Sequence, residues 1–266
     1  KLLSWLRNDV RFADMTVKEA RAPHNPFVRL RVRLKKEIVS LGIDGVDPNQ
    51  MVGTYVSPSD WNLLIQDPDV TLIDVRNDYE IQVGTFEGAI NPHTDQFRDF
   101  PAWVDAHLDP QQNTKVAMFC TGGIRCEKAT SLLKSKGFEV VYHLEGGILQ
   151  YLNDVSEEDS LWEGECFVFD KRIAVNHQLA PGSTELCHAC SYPTTEKDRR
   201  SEHYVRGVSC PRCHDRWTEE QKQRFAERQH QMDLAAQRTD VHLGMQQKLP
   251  ESHPLKHVRD SRNRLG

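Results

Sequence analysis

Residues 116–125 read Val116-Ala117-Met118-Phe119-Cys120-Thr121-Gly122-Gly123-Ile124-Arg125. Four apolar residues run into a cysteine, two glycines follow, and a charged, helix-forming stretch begins at Glu127. Short apolar runs of this kind suit strands buried on both faces of a parallel sheet. The end of such a strand, facing the start of a helix, is where open α/β sheets place their ligands. Paired glycines let the backbone curl so that several N–H groups converge on one point. Together with the positive end of the helix and with Arg125, those groups favour thiolate over thiol at Cys120. Cys120 is therefore the candidate nucleophile, with Arg125 as its catalytic partner and Thr121, Gly122, Gly123 and Ile124 as the active-site loop. The plainer alternative makes Cys120 a small residue filling a strand end. A reactive role requires the sulfur to be reached from solvent and to be unusually acidic.

The same rhythm extends outward. Residues 70–75 and 140–144 are further buried apolar runs, and Ser57-Pro58-Ser59-Asp60 has the cap, proline and acid of a helix start. A helix over residues 127–136 turns Leu132 and Leu133 inward and ends at Gly137. Residues 47–160 thus alternate strand and helix, which predicts a parallel sheet with helices on both faces. Asp74 and Arg76 end the strand beside the loop, as supporting residues that orient Arg125 or the helix, or else as a structural ion pair. Cys126 packs under the helix, with resolution of an oxidised Cys120 as the less favoured role.

The flanks differ. Residues 1–46 suggest helix, strand, turn, strand, too few elements to bury a core, so a preceding portion is expected to be missing. Over residues 27–39 the side chains alternate, with Val28, Leu30, Val32 and Leu34 on one face and Arg29, Arg31, Arg33 and Lys35 on the other. Four like charges in a row need acids on a neighbouring strand, such as Glu19, or an external polyanion such as a phosphate backbone. Residues 161–217 are rich in cysteine. Cys187-His188-Ala189-Cys190 and Cys210-Pro211-Arg212-Cys213 can each present two thiolates to one tetrahedral ion, predicting a zinc-ribbon-like module with structural zinc, or else two sets of free thiols. Residues 218–266 read as a polar helix, opened by the capping box Thr218-x-x-Gln221, and a flexible basic tail.

At 266 residues the chain suits more than one domain. Lys plus Arg total 34 against 39 Asp plus Glu, a net charge of −5, which excludes a bulk polycation that grips nucleic acid by overall charge. Nothing resembles a membrane span or signal peptide, so no membrane partner is expected. Seven cysteines, four of them in paired turns, point to metal and a reducing, cytoplasmic setting rather than a disulfide framework. No nucleotide cofactor motif is evident.

Ile73-Asp74-Val75-Arg76, Gly88-Ala89-Ile90-Asn91-Pro92, the Cys120–Arg125 loop and Leu144-Glu145-Gly146-Gly147 resemble the rhodanese domain in order and spacing. The loop, Cys-x4-Arg, is similar to the short form of that family. Related phosphatases close a longer ring, so the resemblance implies a pocket sized for a persulfide or another small group. The stretches Cys120–Lys128, Ser160–Asp170 and Phe27–Ile38 narrow the likeness to the oxygen-dependent tRNA uridine hydroxylases. That resemblance implies 5-hydroxylation of the wobble uridine with Cys120 essential, molecular oxygen as co-substrate and the tRNA anticodon region as partner. It also implies that residues 1–46 are the last part of a ferredoxin-like domain and that the Arg29–Lys35 stripe meets RNA. A sulfurtransferase carrying sulfane sulfur as a Cys120 persulfide is the alternative. A non-catalytic scaffold is disfavoured by the intact Cys120 and Arg125.

Overall fold

The computed structural model describes residues 1–15, 17, 27 and 32–237. Lys1–Arg33 and the residues from Leu34 onward form two compact units. In the first, α1 (Leu2–Arg7) gives way to a tight 3-10 turn at Val10–Phe12, capped by the Asp9 carboxylate accepting from the Arg11 amide at 3.0 Å. The first of the two strands expected within residues 1–46, over residues 17–21, lies outside the described residues except Val17, and so do Arg29, Arg31 and Glu19. Residues 32–39 contain no strand, and Val32, Leu34, Arg33 and Lys35 are all exposed. Alternation makes a strand only where a neighbour accepts its backbone hydrogen bonds and covers its apolar face; among the described residues none does. A ferredoxin-like arrangement is accordingly not seen.

The second unit runs in chain order β1 (Thr54–Val56), α2 (Pro58–Ile65), β2 (Val70–Asp74), α3 (Asp78–Ile81), β3 (Gly84–Phe86), α4 (Phe100–His107), β4 (Lys115–Phe119), α5 (Ile124–Ser135), β5 (Val140–Leu144), α6 (Gly147–Asp154) and β6 (Trp162–Gly164). Strands β1-β5-β4-β2, in that order, make a parallel sheet. Its strands are apolar on both sides because both sides are covered. Val116, Met118 and Val141 face Leu132 and Leu133 of α5 and Val104 of α4. Ala117, Phe119 and Leu144 face Trp61 of α2 and Ile148, Tyr151 and Leu152 of α6. The helix start at Ser57 is as predicted, its hydroxyl accepting from the Asp60 amide at 3.3 Å. Helix α5 begins three residues earlier than its charged run suggests. Gly123, at φ 89°, reverses the chain there, so Arg125 and Cys126 belong to the first helical turn.

Beyond β6 come β7 (Cys166–Phe167) and β8 (Ala174–Val175), then β9 (Glu185–Leu186) and β10 (Pro193–Thr194), each a short antiparallel pair. Helix α7 (Glu196–Arg199) and the long α8 (Glu219–Gln237) follow. The capping box is present: the Gln221 amide donates to the Thr218 hydroxyl at 3.3 Å and the Gln221 side chain accepts from the Thr218 amide at 3.0 Å. The cysteine-rich segment shares a buried cluster with α3, through Tyr79, Val83 and Phe167. None of the described helices is long and apolar enough to cross a membrane.

Candidate active site and metal centre

Strand β4 delivers Cys120 to the point where the chain turns into α5. The Gly123 amide donates to the Cys120 sulfur at 3.2 Å, and the amides of Arg125 and Cys126 also point at it. This is the convergent set of donors that the two glycines predict. The loop is clamped from behind by the Gly146-Gly147 turn: the Ile148 amide donates to the Cys120 carbonyl at 2.9 Å and the Leu149 amide to the Thr121 carbonyl at 3.1 Å. Gly147 has φ 69°, and a Cβ there would stand 2.5 Å from the Cys120 carbonyl oxygen, so only glycine permits this close approach. Gly122 and Ile124 lie on the outer rim of the loop, Ile124 exposed.

Burial pushes the Cys120 thiol up, but the Cys126 hydrogen bond, the Arg125 charge and the amides of Cys126 and Arg125 outweigh it and bring the thiol down to about 6. The acidity required of a nucleophile is therefore present. The exposure is not: Cys120 is only 1% exposed. A substrate therefore reaches the sulfur only when the surroundings of the loop shift.

Arg125 is held by a residue that sequence reasoning missed. Its Nη1 donates to both carboxylate oxygens of Glu80, at 2.6 and 3.2 Å, and its Nη2 to the Thr121 hydroxyl at 3.1 Å. Glu80 is 0% exposed, in the short α3. Burial opposes the charge on Arg125, but Glu80 and the Cys120 sulfur more than compensate and keep it firmly protonated. The signal available in the sequence was electroneutrality, since a guanidinium at a buried loop needs a buried carboxylate.

Asp74 and Arg76 meet each other rather than Arg125. Arg76 donates from Nε at 2.9 Å and Nη2 at 2.7 Å to the Asp74 carboxylate, both side chains being fully buried. Arg76 also donates to the Gly84 carbonyl at 2.6 Å, and Thr85 donates to Asp74 at 2.9 Å. The pair thus ties the end of β2 to β3 and brackets the turn that carries Glu80.

Cys187, Cys190, Cys210 and Cys213 converge, their sulfurs all within 4.8 Å of one another. The separations Cys187–Cys213, Cys190–Cys210 and Cys210–Cys213 are 3.9, 3.7 and 3.6 Å. A tetrahedral zinc ion with Zn–S bonds of about 2.3 Å sets its sulfurs roughly 3.8 Å apart, so the four fit that ion. Helix α8 braces the module, with Arg228 donating to the His188 carbonyl at 2.6 Å and Gln229 paired with the His188 ring at 3.1 Å. Arg212, inside the second cysteine turn, reaches back to α3, donating to Gln82 at 2.5 Å and Asp78 at 3.3 Å.

Residues 57–154 match the family described as the rhodanese-like domain. A tRNA uridine(34) hydroxylase from Teredinibacter turnerae is 57% identical over 243 residues, covering 91% of this chain and 76% of that protein. Among solved structures, a protein of unknown function and possible tyrosine phosphatase from Rhodopseudomonas palustris is 26% identical over 39% of this chain and 82% of its own, at a TM-score of 0.34. The rhodanese-like domain of an Anabaena protein is 22% identical over 43% of this chain and 80% of its own, also at 0.34.

Proposed function

The chain belongs to the tRNA uridine(34) hydroxylase family, and from that premise we propose that Cys120 is the catalytic nucleophile of an oxygen-dependent 5-hydroxylation of the wobble uridine. Carbon 5 of uracil is a poor site for direct attack by oxygen. A thiolate adding at carbon 6 builds enolate character at carbon 5, which can then react. The observation that carries this reading is the Cys120 sulfur ringed by the amides of Gly123, Arg125 and Cys126, with a thiol acidity of about 6. Arg125 and the loop amides are suited to hold the enolate oxygen as charge develops there. Glu80 positions Arg125, and Asp74 with Arg76 steadies the segment that carries Glu80.

The four cysteines are read as a closed structural zinc site, the ion completing the shared core of the module and α3 and taking no part in the reaction. The tRNA is engaged at its anticodon region. Arg29, Arg31, Arg33 and Lys35 are proposed phosphate contacts, and residues 1–46 the end of a ferredoxin-like domain, on the resemblance of Phe27–Ile38 to the family.

Denaturing quench of the protein with uridine-34 tRNA is expected to trap uracil on Cys120, located by peptide mass. Absence of any adduct, with hydroxylation kept in Cys120→Ser, overturns the proposal.

A further inference from the structure

Hydroxylation of a carbon by molecular oxygen puts one oxygen atom into product and reduces the other to water, which takes two electrons that the uridine does not supply. Two sulfurs meet at the loop. Cys126, in the first turn of α5, packs in the same buried cluster as Cys120 and turns its amide toward the Cys120 sulfur, and the two residues are 0% and 1% exposed. Their states differ: burial, the hydrogen bond to Cys120 and the Cys120 charge hold Cys126 well above the usual thiol range. The loop therefore keeps one thiolate and one neutral thiol in a single buried cluster, away from water. The mechanism above uses only the first.

We propose that Cys126 is the second reacting sulfur of the hydroxylation, and that the Cys120–Cys126 dithiol supplies the two electrons. The inference rests on Cys120 being the nucleophile. The Cys120 thiolate adds to carbon 6, and the carbon 5 carbanion takes up oxygen and a proton to give a carbon 5 hydroperoxide. Cys126 sulfur attacks the terminal oxygen of that group. The O–O bond breaks, Cys126 becomes a sulfenic acid, and its proton passes to the oxygen left on carbon 5. Loss of the carbon 5 proton and of the Cys120–carbon 6 bond restores the ring double bond and frees the Cys120 thiolate. That thiolate attacks the Cys126 sulfenic sulfur, and hydroxide leaves and is protonated to water. In sum, a ring C–H, one oxygen molecule and two thiols give a ring C–OH, one water and one disulfide. An external thiol or dithiol reopens the disulfide between turnovers.

The test is a single turnover. Zinc-loaded protein is reduced without oxygen, freed of reductant, then mixed with uridine-34 tRNA in oxygenated buffer. The expected result is up to one 5-hydroxyuridine per chain, with a Cys120–Cys126 disulfide formed in equal amount by peptide mass. Cys126→Ser and Cys126→Ala are each expected to cut this reductant-free burst about tenfold or more while still forming the Cys120–uracil adduct. A full burst in both variants, product in the wild type without the disulfide, or no burst in the wild type until reductant is added overturns the proposal. The wild-type disulfide map needs no variant to fold. Product retained in Cys120→Ser defeats the nucleophile itself, whereas a dead Cys120→Ser beside fully active Cys126 variants defeats only the dithiol.

Discussion

The chain holds two buried groups of sulfur, and they are built for opposite ends. At Cys120 the sulfur is met by backbone amides, one thiol and a guanidinium, all of which reward negative charge on a single atom. At Cys187, Cys190, Cys210 and Cys213 each sulfur is met chiefly by three others, and four thiolates so placed repel unless a cation joins them. Both groups are equally hidden from water. What separates the two groups is the sign of the partial charges facing each sulfur, not burial. The two groups also meet mechanically at α3, which offers Glu80 to Arg125 on one side and Asp78 to Arg212 on the other.

Substitutions on the two sides should break this contrast in graded fashion. Cys120→Ser is expected to lower tRNA hydroxylation about a thousandfold or more, with zinc content and melting temperature unchanged, measured by nucleoside mass analysis and metal assay. Cys190→Ser should do the reverse to the protein's fabric, releasing the bound zinc and lowering the melting temperature by roughly 10 °C. Retention of stoichiometric zinc in Cys190→Ser would place the ion elsewhere. Glu80→Gln leaves the Arg125 guanidinium buried without its carboxylate, for an expected loss of about 3 kcal/mol in urea unfolding. Arg125→Gln removes a charge that holds the Cys120 thiol down, so its midpoint should move up from about 6 toward the ordinary thiol range. Because the thiolate fraction grows as pH rises through the midpoint, the Cys120 thiolate absorbance near neutrality should fall in that variant. Arg212→Ala, at a half-exposed contact, should cost under about 1 kcal/mol. A larger cost would mean that the metal module governs α3 more strongly than these contacts indicate.

Much of this was legible in the residues themselves. The apolar runs ending at Phe119 and Leu144 dictate buried parallel strands, and Gly122-Gly123 dictates the turn that aims amides at Cys120. The two Cys-x2-Cys turns dictate the sulfur cluster, and helix α8 is announced by Thr218 and Gln221. Glu80 was not legible, because it sits among ordinary acids in a short helix 45 residues before its partner and only the folded sheet brings them together. The clamp on the Cys120 loop was not legible either, since the Gly146-Gly147 turn acts through backbone atoms that carry no side-chain signature. In the described part of the alternation, residues 32–39, no strand forms, because period-two patterning makes a strand only beside a partner strand.

The central claim is tested most directly by titrating thiolate absorbance in zinc-loaded wild type against Cys120→Ser, which reads ionisation without requiring a reagent to enter the buried loop. The difference signal is predicted to rise through a midpoint of about 6. A midpoint near the ordinary cysteine value of about 8.5 would contradict it.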